Sequence, residues 1–69
     1  MVLQRRLMWP SKGENITVFQ NNRVMMEGYV LYAGDDVISV LGKNGHAASI
    51  SAQELLRGIE NRSIVVKKN

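Results

Sequence analysis

The sequence predicts a mainly β fold, a short N-terminal helix followed by a strongly bent five-stranded small barrel. Three observations lead there. Apolar, β-branched stretches alternate with turn-forming breaks at Asn21-Asn22, Gly34-Asp35-Asp36 and Asn44-Gly45. A glycine, Gly28, sits inside the longest stretch, where a missing side chain permits a sharp bend or a close backbone approach. The chain has only 69 residues and no cysteine, which leaves room for one domain with a small core. That domain is assigned to residues 1–69, with 1–10 as the helix, 15–66 as the barrel and 67–69 as a frayed tail.

The elements follow in order. Residues 2–9 place Leu3, Leu7 and Met8 on one helical side and Arg5 and Arg6 near the other, and Pro10 closes the stretch. Trp9 is expected to pack that helix onto the barrel. After a polar connector over 11–15, Ile16-Thr17-Val18-Phe19 reads as the first strand. Asn21 and Asn22 both tolerate positive φ and predict a hairpin into Arg23. The second strand then runs from Arg23 to Ala33, and Val37 to Leu41 forms the third. Asn44-Gly45 is the strongest hairpin signal in the chain and leads into a fourth strand over 46–52. Ser51-Ala52-Gln53-Glu54 resembles a capping box and heads a single helical turn through Leu55, Leu56 and Arg57, ended by Gly58. Ile64-Val65-Val66 is a short fifth strand.

Composition narrows the function classes. A hydrophobic fraction of 45% is that of a globular chain, and no apolar run approaches the ~20 residues of a membrane span. The expected location is cytoplasmic, since no export signal opens the chain and cysteine is absent. A net charge of +3 is gathered toward the two ends, and repeated around a ring it would add up to a field that attracts polyanions. A chain too small for a comfortable core, without disulfides and with one histidine, is expected to gain stability by association.

No enzyme, metal site or cofactor is expected. His46 is the one histidine available as a base and sits beside a turn, where a solvated role is the ordinary one. Asp35 and Asp36 are adjacent, so a turn pair accounts for them better than a paired-carboxylate site. The glycines do not fall into a phosphate-cradling spacing. Alternation along the second strand sends its methionines and tyrosines to both faces. One face, with Phe19, Arg23, Met25 and Tyr29, offers an aromatic and basic platform for single-stranded bases.

Val18-Phe19-Gln20-Asn21-Asn22-Arg23-Val24-Met25-Met26-Glu27-Gly28 resembles the first motif of the Sm and LSm family, which includes the bacterial Hfq type. In that motif a strand enters an Asn-containing turn and continues as a bent, glycine-containing strand. The second motif is similar either to Leu56-Arg57-Gly58 with Ile64-Val65-Val66, or to Ile59-Glu60-Asn61 before Arg62-Ser63-Ile64. The chain departs from the family at Gly34, where a loop Asp is expected and Asp35 follows one step late. It departs again at Ile38, in place of a base-contacting Asn, and in lacking the Hfq-type Tyr-Lys-His segment.

The resemblance implies an Sm-like domain that assembles into a homo-oligomeric ring of roughly five to seven subunits, the fourth strand of one subunit pairing with the fifth of the next. It implies single-stranded RNA as the partner, held near the pore by Asp35, Asp36, Arg57, Gly58, Asn61 and Arg62. Phe19, Arg23 and Met25 form the second-choice surface on the opposite face. Two other readings stand beside it. Gly34-Asp35-Asp36-Val37, Val40-Leu41-Gly42-Lys43 and the opening residues resemble the carbon storage regulator family, whose members are strand-swapped RNA-binding dimers. The third is a structural ring that binds protein rather than RNA.

Overall fold

The computed structural model describes residues 9–69. Five antiparallel strands form one sheet: β1 (Asn15–Gln20), β2 (Arg23–Ala33), β3 (Val37–Leu41), β4 (Ala47–Ser51) and β5 (Ile64–Lys68). A single described helix, α1 (Ala52–Glu60), lies between β4 and β5. The spatial order is β4-β3-β2-β1-β5, so β4 and β5 are the edges and do not pair with each other. The mainly β expectation is met, but the sheet is open where closure was expected. The short N-terminal helix is not borne out: residues 1–8 of that assignment lie outside the described residues, Trp9 and Pro10 are irregular, and the described helix follows the strands.

Local chemistry explains the connections. Asn21 and Asn22 take φ of 52° and 67°, the left-handed pair that matches a two-residue turn to strand twist. The Asn44-Gly45 connection is wider than a two-residue turn. It runs from Gly42 to His46, with Gly45 alone left-handed, the Gly45 amide donating to the Gly42 carbonyl and the Asn44 Oδ1 accepting from the His46 amide. At Gly28, with φ +150°, a Cβ would stand 2.0 Å from the Leu41 carbonyl oxygen. Only glycine lets β2 approach β3 this closely as it passes from pairing with β1 to pairing with β3.

The helix is longer than a single turn. Ser51 caps it, its hydroxyl accepting from the Glu54 amide at 3.1 Å. Gly58 does not end it: a Cβ there would meet the Ile64 side chain at 2.2 Å, so the glycine admits β5 against the helix. Termination falls to Asn61 and left-handed Arg62, whose amides donate to the Arg57 and Ile59 carbonyls. Lys67 and Lys68, expected in a frayed tail, belong to β5, and the Asn69 amide still donates to the Asn15 carbonyl.

One core joins all of this. Ile16, Val18, Val30, Ile38, Val40 and Leu55 are essentially inaccessible, and Met26, Ile64 and Val66 complete the cluster. Trp9 and Ile50 pack against its margin. Burial alternates along β3 and β5 as a one-sided sheet requires. On β2 the alternation holds from Met26 to Leu31 and breaks at the bulges on either side. Met25 has no opposite residue on β1, and Leu31 has none on β3.

Candidate nucleic-acid interface

The residues expected near a pore fall into two groups at opposite ends of α1. Asp35 and Asp36 lie in the β2–β3 loop, which is fixed by the Gly34 amide donating to the Val37 carbonyl. The Ala52 amide, at the start of the helix, donates to the Asp36 carbonyl at 2.8 Å. The two carboxylates border a recess of about 520 Å³ with Trp9, Gln53 and Leu56. Arg57, Gly58 and Asn61 line a different recess of about 450 Å³ between β4 and α1. Along the helix, Arg57 stands five residues from Ala52, about 8 Å at 1.5 Å per residue, and Asn61 nine residues, about 14 Å. Within a subunit the aspartates and Arg57 therefore border separate recesses.

The second recess draws in a residue from the other expected surface. Met25, the bulged residue of β2, borders it together with Gln20, Ile50 and Ile64. It also borders a shallower hollow of about 370 Å³ with Arg23 and Asn21. Backbone bonding ties the two neighbouring turns together, since the Asn21 amide donates to the Ser63 carbonyl at 2.9 Å. Arg57 on the recess and Arg23 on the adjoining hollow thus lie on neighbouring surfaces, with Arg62 in the turn between Asn61 and Ser63, and Gln20, Asn21, Asn61 and Glu54 lie among them. Ser63 is held there by its amide donating to the Asn61 Oδ1. Cations with interleaved amides suit phosphate oxygens and base edges. Phe19 stands between Val65 and Val24 in a cross-strand row on the outer face, Val24 and Val65 being more than half exposed.

Tyr29 does not join that row. It pairs with Asn15 and Leu41, four residues along β1 from Phe19, or about 13 Å. The expected aromatic platform of Phe19, Met25 and Tyr29 is thus divided. The bulge at Leu31 has the opposite effect, because Tyr29 and Tyr32 pair outward with Leu41 and Ser39 and share one face that alternation would have denied them.

A polar relay on the outer face escaped the sequence reading. Asn69 Nδ2 donates to Thr17 Oγ1 at 3.2 Å, and Thr17 Oγ1 donates to Glu27 Oε2 at 3.1 Å. Its residues come from β1, β2 and the position just after β5, far apart in sequence and brought together by strand pairing, so no local motif announces them. Among the described residues no group of three or more His, Cys, Asp or Glu side chains is placed to hold a metal ion. No family model, curated protein or solved structure matches the chain.

Proposed function

We propose that this protein is an Sm-like subunit that assembles into a homo-oligomeric ring of roughly five to seven copies and binds single-stranded RNA. The observation that supports it is the strand order β4-β3-β2-β1-β5, which leaves one unpaired edge at each end of a sheet whose second strand passes Leu41 at Gly28. Pairing β4 of one copy with β5 of the next satisfies both edges and turns each open sheet into a strongly bent small barrel completed by its neighbour. All five strands come from one chain, so a strand-swapped dimer of the carbon storage regulator kind is not needed to complete the sheet.

Within the ring, Arg57, Asn61 and Arg62 are the RNA-contacting residues. Arg23, Phe19 and Met25 extend the surface around the β1–β2 turn. Asp35 and Asp36, across the helix, oppose phosphate approach by like-charge repulsion. The test has two steps. Light scattering on the eluted protein should give a mass of several subunits, and a stable monomer would remove the ring. Fluorescence anisotropy with uridine-rich, adenine-rich and mixed RNAs at two ionic strengths should then show binding that weakens with salt. Arg57→Ala with Arg62→Ala should reduce that binding, and Asp35→Asn with Asp36→Asn should increase it. A ring that binds none of the RNAs would instead be a scaffold for protein.

A further inference from the structure

A further recess of about 470 Å³ opens on the outer face where β2 passes β3, away from the arginines. Glu27, Tyr29, Lys43, Asn15 and Asn69 border it. Glu27 and Tyr29 are two apart on β2, so they point to the same side about 7 Å from one another. Thr17 and Asn69 hold the Glu27 carboxylate through the relay, which fixes its direction without exhausting its acceptor capacity. Tyr29 is 43% exposed and borders the opening. Lys43 follows Leu41 and Gly42 out of β3 and reaches solvent at the rim.

From this arrangement we infer that the recess binds a guanine base carrying a phosphate. An ionised carboxylate accepts hydrogen bonds and donates none, so it selects a base edge with adjacent donors. Guanine presents two, the ring N1–H and the exocyclic amine. Adenine and cytosine pair their amine with a ring acceptor that would face the carboxylate. Tyr29 supplies a stacking surface that any base can use, and Lys43 a cation for the attached phosphate. Asn15 brings an amide able to meet the carbonyl edge. The shared chemistry fits a free guanine nucleotide or a guanosine within single-stranded RNA.

Titration calorimetry with guanosine and adenosine monophosphates, and with oligouridine carrying or lacking one guanosine, tests the site. The expected result is preference for the guanine ligand. Glu27→Gln should cost about tenfold or more of that preference, as a charge-assisted pair is lost. Tyr29→Leu should weaken every base alike, and Lys43→Ala should lower affinity without changing the ratio between bases. Preference in the mononucleotides identifies a nucleotide site, and preference in the oligomer alone identifies an RNA site. Equal binding of guanine and adenine ligands in both formats, or full preference retained in Glu27→Gln, overturns the inference. The Arg57 and Arg62 variants should leave the mononucleotide arm unchanged, which separates this site from the RNA surface proposed above. Circular dichroism of each variant establishes that the fold is intact.

Discussion

At the scale of single residues, the positions that matter most are those where backbone meets backbone. Gly28 has no room for a methyl group, since the obstructing atom is the Leu41 carbonyl and φ is +150°. Gly28→Ala should therefore destabilise by about 3 kcal/mol or more, read from urea denaturation. Gly45 has φ +85° but nothing within 4 Å of an added Cβ. Gly45→Ala should cost only about 1 kcal/mol, a purely conformational penalty. The contrast was partly legible in the sequence, because a glycine inside a long, largely apolar strand run marks a close approach whereas a glycine after Asn marks a turn. Gly58 departs from the sequence expectation for a physical reason. Its smallness serves the contact with Ile64 rather than a helix stop, and a contact with a residue in the next strand leaves no local signature.

Elements were legible where local periodicity and burial agree. The ranges of β2 and β3 match their sequence assignments, and the Asn21-Asn22 turn has the left-handed geometry its residues favour. The helix was foreseen at its start and not at its end, because capping is written in neighbouring residues and termination here depends on the left-handed Arg62. Ser51→Ala should lower stability by about 1 kcal/mol through loss of the cap. Leu55, 1% exposed at the centre of the core, should cost about 2–5 kcal/mol when replaced by alanine. Thermal denaturation of the two variants ranks them, and equal effects would mean that the helix is held by its cap rather than by its packed face. The divided aromatic platform has the same origin as the shared face of Tyr29 and Tyr32. Alternation predicts facing only until a bulge resets it, and neither Met25 nor Leu31 carries a sequence mark of being the extra residue.

For the whole molecule, the two sheet edges differ in character. β4 reads Ala-Ala-Ser-Ile-Ser and contains no charge, whereas β5 carries Lys67 and Lys68. Lysine on an edge is a common guard against unwanted pairing, and β4 has none. Ala48 is exposed on β4 and borders the recess beside the edge. Ala48→Lys should leave the subunit folded and abolish assembly, which light scattering together with circular dichroism would read. Assembly unaffected by this lysine would place the contact elsewhere.

The pairing of β1 with β5 also sets a time order. Asn69 and Thr17, hydrogen-bonded to each other, are 52 residues apart, so the interior strand β1 receives its second neighbour only after β2, β3, β4 and α1 have been made. During synthesis β1 can pair with β2 at once, while its other edge waits through the making of two further strands and a helix. Long closures of this kind slow folding and prolong exposure of a strand able to pair with another chain. Refolding yield should accordingly fall as protein concentration rises, and a variant weakened in β5, such as Val66→Ala, should show the steeper fall.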